Sequence, residues 1–431
     1  MNSYINLLRE NRNYRFLWLG AVISQIGDWF NLIASALIIQ QLTSASAAVS
    51  LLFLARFLPL FLFSPFAGVL ADRFDRRTIL VASNLLRAVT VLGFLLVREA
   101  SLVWLFYLLT VLQFALSSVY TPARTAVLAN IVKKEELVTA NALDSFTWST
   151  MLAVGSLLGG LATGLFGVAA AFVIDALTFV LAGWLTAKVI LPPELLAARA
   201  AGSRGSWLDF LDGLRYLRSE PYILALSLIK AGGSLVWGAI NVLEIDFAEK
   251  VFPLTDLARS LGSTDGSALT LGYIYALAGL GTGFGPLLLR RWLGDAPPRL
   301  RWAITGSFWV LAAGILGLAA APTLGWFGLA TLVRTVGSGT LWVFSAAILQ
   351  MIVPDHVRGR VFAFEFAALT LTQSISIFWA GVAQDALGMS VRTVTASVGL
   401  LGLLVAFVWL IFQLRTHRRP LGELALERSA P

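Results

Sequence analysis

Six charged residues, Asp28, Arg56, Arg87, Asp175, Lys230 and Arg334, each interrupt a long apolar run. A charge at the centre of a bilayer costs about 2.5–3.5 kcal/mol on insertion scales, so each one that persists is a candidate functional group and needs a partner. Asp28 lies roughly twelve residues into the first run, about 18 Å at 1.5 Å per residue, which is near the midplane of a hydrocarbon layer about 30 Å thick. Arg56 falls within one or two turns of the same depth in the second run, and this spacing predicts an Asp28–Arg56 interaction. A carboxylate beside a movable arginine can be neutralised by the arginine in one conformation and by a proton in another, which is a proton-coupling device. Two further roles stay open for Asp28: a fixed lock between the first two helices, and direct contact with a transported molecule.

The other four charges are less constrained. Arg87 is placed to reach Asp28, Asp144 or the inner interface, or to snorkel towards that interface. Asp175 can be satisfied by Thr178 or by backbone. Lys230 and Arg334 show no evident carboxylate in their own half. They are expected either to face a water-filled cavity, where they would favour anionic or zwitterionic cargo, or to pair across it with Asp28 or Asp175. The two histidines, His356 and His417, fall in inner loops and are poor candidates for a buried relay.

The elements that must position these groups are membrane helices. Of the 431 residues 58% are apolar and 13% charged, and the mean hydropathy is +0.80, far from soluble domains. With about 20 residues needed per crossing, apolar segments fall near 16–42, 47–70, 78–97, 102–121, 139–164 and 167–190, and again near 220–245, 268–290, 302–321, 325–349, 361–386 and 391–414. Of the 32 lysines and arginines, 24 then lie in segments on the side of the amino terminus, 4 in loops on the other side and 4 within spans. By the positive-inside rule both termini are cytoplasmic. The net charge of +8 is spread over short loops, so it marks orientation and not a nucleic-acid surface. The absence of cysteine excludes disulfides, a thiolate nucleophile and Cys-ligated metal. The polar, basic first fifteen residues run into an apolar stretch too long for a signal-peptide core, so no cleaved leader is expected.

Ala126 to Val132 and Ala347 to Val353 carry apolar residues in matching positions, which fits an internal repeat. The expected organisation is a six-helix bundle over 1–190, a cytoplasmic linker with an amphipathic helix over 191–219, a second six-helix bundle over 220–415 and a cytoplasmic tail over 416–431. Gly155, Gly159 and Gly160 share a helix face in the fifth span, and Gly281, Gly285 and Pro286 punctuate the eighth. They serve either close packing or a hinge. The outer loop 246–267 is acid-rich and its role is not evident from its residues.

The run from Gly68 to Arg77, with Asp72, Arg73, Asp75, Arg76 and Arg77 charged, joins the second and third spans. It is similar to the loop that marks the major facilitator superfamily, with Asp75 standing where a second glycine is usual. The surrounding Tyr14, Trp18, Gly27-Asp28, Pro122-x-Arg124, Ala140-Asn141 and Arg358-Gly359-Arg360 resemble the branch of macrolide-efflux proteins and enterobactin-type exporters. Two features depart from drug and proton antiporters of that superfamily: the fifth span lacks the usual proline after glycine, and Thr110 stands where an arginine often precedes Gln113.

The resemblance implies an all-α membrane protein of twelve transmembrane helices in two pseudo-symmetric six-helix bundles, working by alternating access. It also implies an inner latch in which Gly68, Asp72, Arg73, Arg76 and Arg77 meet an acid of the eleventh helix, for which Glu365 is the candidate. The alternative for the arginines is topology alone, through lipid headgroups. The reading is a prokaryotic inner-membrane exporter of a hydrophobic or amphipathic small molecule. It is driven by protons, acts as a monomer, and has no cofactor, metal, catalytic residue or nucleic-acid partner. The alternatives are a siderophore or lysophospholipid facilitator without proton coupling, and a transporter-like sensor or scaffold.

Overall fold

A computed structural model of the chain describes residues 2–43, 45–133, 136–191, 214–262, 266–294 and 296–416. Residues 192–213, which hold most of the expected linker and the start of its amphipathic helix, and the tail over 417–431 with His417 lie outside the described residues; 214–219 are helical. Among the described residues there is no strand. Eleven helical stretches are long and apolar enough to cross a membrane: Arg12–Thr43, Ser46–Phe63, Arg76–Leu96, Ala100–Leu128, Thr139–Ala187, Pro221–Val251, Gly266–Leu293, Pro297–Ala320, Leu324–Ile352, Arg360–Asp385 and Val391–Thr416.

Thr139–Ala187 is 49 residues long, about twice what one crossing requires. It turns at Gly167, whose φ of 84° is readily adopted only by glycine, so it supplies the fifth and sixth of twelve crossings. The fifth span also contains a π-helical turn, Met151–Gly155, and a second such turn, Phe247–Val251, ends the seventh.

The chain divides into two compact units. The first comprises Met1–Ser206 with Ala248–Ala276, and the second Trp207–Phe247 with Leu277–Pro431. Packing thus groups 248–276, the outer loop and the start of the eighth span, with the first six spans. Gly160 shows why: a Cβ there would lie 2.6 Å from the Ala268 carbonyl oxygen and 2.8 Å from Gly272 Cα. Helices in lipid gain little by hiding apolar faces from one another, so small residues and close backbones do the joining. Gly155 and Gly159 admit Trp29 and the backbone of Phe30 in the same way, and in the second unit Gly281 and Gly285 admit Thr335 and Val336. The outward faces carry residues such as Leu86, Val89, Leu108, Leu177, Leu404 and Phe407, all exposed.

Asp75 has a structural role. Its carboxylate accepts from Thr78 N at 2.7 Å and from Thr78 Oγ1 at 2.8 Å, capping the helix Arg76–Gly93 and satisfying one of its orphan donors.

Candidate functional site

In the first unit the polar groups of four helices form two sets of contacts, both including residues of the first span. Arg87 Nη2 donates to Asp28 Oδ1 at 3.0 Å, and the guanidinium lies 4.0 Å from the Phe179 ring centre. The expected Asp28–Arg56 pair is not formed. Arg56 Nη1 donates instead to Asn31 Oδ1 at 3.2 Å while its guanidinium covers the Phe114 ring at 4.6 Å. Depth along a helix does not give azimuth. Asn31, one turn beyond Asp28, meets Arg56, and the third span brings Arg87 to Asp28.

Asn31 is the residue that sequence reasoning missed. Its amide nitrogen donates to Asp175 Oδ2 at 2.9 Å, and its oxygen also accepts from Ser35 at 3.2 Å. A search limited to charged residues passes over a neutral amide, although an asparagine one turn from a buried aspartate is a readable signal. Asp175 is wholly buried, and Thr178 Oγ1 lies 3.5 Å from its Oδ1, as one of the two open readings held. Gly27 makes room for this group: a Cβ there would lie 2.4 Å from Asp175 Oδ1.

Elsewhere in the same unit Arg124 grips Asp144 with two bonds, 2.7 Å to Oδ2 and 3.0 Å to Oδ1. Arg77 donates to the Ala187 carbonyl, at the carboxyl end of the sixth span, where the helix dipole favours a cation. Gly68, Asp72 and Arg73 fall in a stretch whose side chains are outside the described residues.

In the second unit the reading of Lys230 and Arg334 is corrected, because each has a carboxylate partner within its own unit. Lys230 Nζ lies 3.1 Å from Glu365 Oε2, and Arg334 Nη2 bonds Glu244 Oε1. All four side chains are buried. Glu244 sits close to the end of its apolar run, where it reads as a loop residue, and Glu365 reads from the sequence as part of the inner latch. Asp246, within the acid-rich loop, is buried as well and accepts from Gln384 at 3.0 Å. With both cations neutralised in place, the argument from their charge to anionic cargo loses its basis.

The described residues thus form a polytopic, helical membrane protein with buried ion pairs on facing helices. The chain belongs to the Major Facilitator Superfamily, whose profile matches residues 17–371. It is 27% identical over 423 residues to the uncharacterized MFS-type transporter YfiS of Bacillus subtilis, covering 94% of each chain. It is 24% identical to macrolide efflux protein A of Streptococcus pyogenes over 87% of this chain and 90% of that one. To the enterobactin exporter EntS of Shigella boydii it is 27% identical, over 83% and 82%. Among solved structures, an auto-inhibited POT family peptide transporter superposes with a TM-score of 0.70 at 14% identity, covering 94% of this chain and 97% of that one. This last is a likeness of fold alone.

Proposed function

We propose that the protein exports a hydrophobic or amphipathic small molecule across a bacterial inner membrane by proton antiport, with alternating access and both termini cytoplasmic. Export is supported by the relatives named for macrolide and enterobactin efflux. Proton coupling is supported by one observation above the rest: in the Arg87–Asp28 pair the arginine side chain is 6% exposed and the aspartate 33%. The acid is thus partly open while the base is held in the protein, which is the arrangement a carboxylate needs if it is to trade its arginine for a proton. No prosthetic group has a part in this mechanism; the driving force is the proton gradient.

Purified protein in vesicles with an imposed pH gradient tests the reading. Uphill movement of cargo by the native chain, lost in Asp28→Asn while the protein still inserts, is the expected result. Uphill export that survives Asp28→Asn rejects the coupling role. Downhill movement alone points to a facilitator, and absence of movement to a sensor.

A further inference from the structure

Asn84, in the third span, is 0% exposed, and neither its Oδ1 nor its Nδ2 has a hydrogen-bond partner. A buried amide left in this way costs free energy, so its presence calls for a state in which it is used. No molecule from outside can reach it, and its partner must come from within the protein. Arg87 is placed to be that partner. It stands three residues further along the same helix, a spacing that sets side chains about 5–6 Å apart at Cβ, and helical side chains lean towards the amino end of their helix, here towards Asn84. Both face the sixth span: a Cβ on Gly183 would meet Asn84 Cβ at 3.5 Å, and Arg87 lies on Phe179, one turn away. The Arg87 Nε is itself buried without an acceptor.

An arginine that gives up Asp28 needs somewhere to go. Its side chain is 6% exposed, so water does not receive it, and a buried guanidinium without an acceptor is costly. The other groups around it are engaged. Asp175 of the sixth span takes the Asn31 amide, Arg56 of the second span gives to Asn31, and Tyr120 of the fourth offers a ring face at 5.8 Å.

We propose that Asn84 is the second seat of the Arg87 guanidinium, accepting it on Oδ1 whenever Asp28 is neutral. This rests on the proton-exchange reading above and adds the positioning residue that receives the released base. The choice of an amide follows from the chemistry. A neutral oxygen is a weaker acceptor for a guanidinium than a carboxylate, so Arg87 returns to Asp28 once the proton leaves, whereas an acid at 84 would hold it.

A double-mutant cycle on thermal unfolding midpoints of the full-length protein in detergent tests the seat. Asn84→Leu keeps the branching of the side chain and removes an unbonded amide, so alone it should leave the midpoint unchanged or raise it. Asp28→Ala alone should lower the midpoint moderately, since Arg87 can still turn to Asn84. Together the two changes should cost more than their sum, because the arginine is then stranded. Adding Arg87→Met to the pair should restore the midpoint, which separates a stranded charge from a general folding defect. In vesicles, half-maximal export by Asn84→Leu should need about tenfold more protons, for want of one hydrogen bond to a charged group, and Asn84→Asp should need fewer. Additive losses would place the freed arginine on Asp175 and overturn the proposal, as would a midpoint that Arg87→Met does not restore or a proton requirement that neither variant at 84 shifts. The cycle uses no gradient, so its outcome is independent of whether Asp28→Asn stops uphill export.

Discussion

Arg87 and Asp28 form an ion pair of unequal partners, joined at 3.0 Å with the base covered and the acid partly open. A pair shielded on both sides would be a strut, whereas one with an accessible acid can be taken apart from the acid's side. The stability of Asp28→Asn should change little, by about 1 kcal/mol, because asparagine keeps an acceptor oxygen for Arg87 and Arg87 retains Phe179. Thermal unfolding in detergent checks the first half of this expectation, and vesicle transport the second. A large loss of stability together with intact coupling would mark the pair as a strut after all.

Asn31→Leu should show the reverse pattern. It removes the donor to Asp175 and the acceptor for Arg56 at once, leaving two buried charges short of a bond in a site where a broken network costs about 3–5 kcal/mol. The expected result is a lowered unfolding midpoint and reduced yield. Asn31→Asp should be worse still, because it sets a second carboxylate against Asp175.

The twelve crossings, the break between the fifth and sixth and the polar run at 68–77 could be read from composition and spacing, since lipid forces every backbone group into a helix. The partners of the buried charges could not. Choosing between Arg56 and Arg87 for Asp28 depends on helix rotation, which an apolar sequence barely encodes when the outward and inward faces are both apolar. Glu244 was visible as a letter, but a carboxylate near the end of an apolar run reads as a loop residue until an arginine from another span is seen beside it, and Glu365, expected in the inner latch, is paired with Lys230 instead. Asp75 was noted as a departure from the loop pattern, and its capping bond explains why an aspartate suits that position.

That cap gives a graded expectation. Asp75→Ala should cost about 1 kcal/mol, whereas Asp75→Gly, which restores the residue more usual in such loops, should cost only a few tenths, because glycine tolerates the N-cap conformation and leaves the amides open to water. A midpoint series over the three chains tests the order. Equal losses for alanine and glycine would show that the carboxylate acts through something other than the amide of Thr78.

Gly160 makes an independent prediction about packing. A methyl group there would meet backbone at 2.6 and 2.8 Å, and backbone cannot step aside as a side-chain tip can, so Gly160→Ala should destabilise by about 1–3 kcal/mol as overpacking does. Gly272→Ala approaches the same seam from the other helix with less conflict, 3.2 Å to Gly160 Cα, and should cost less. Midpoints in the opposite order would mean that the helix ending at Gly167 can shift freely.

The Arg334–Glu244 pair separates structure from function in the second unit. Both side chains are buried, at 8% and 3%, and Gly314 holds its helix against the arginine's backbone, a Cβ there lying 2.4 Å from Arg334 N. Removing one partner strands the other, so Glu244→Gln or Arg334→Met alone should lower stability by about 3–5 kcal/mol. Removing both takes away the desolvation cost along with the attraction, and the doubly substituted chain should recover most of that loss. A double-mutant cycle on unfolding midpoints, run beside vesicle transport, reads the two contributions separately. Recovery of stability with transport restored identifies a packing pair. Recovery of stability without transport would give the pair a part in the cycle of movement, which its neutral, enclosed geometry does not call for.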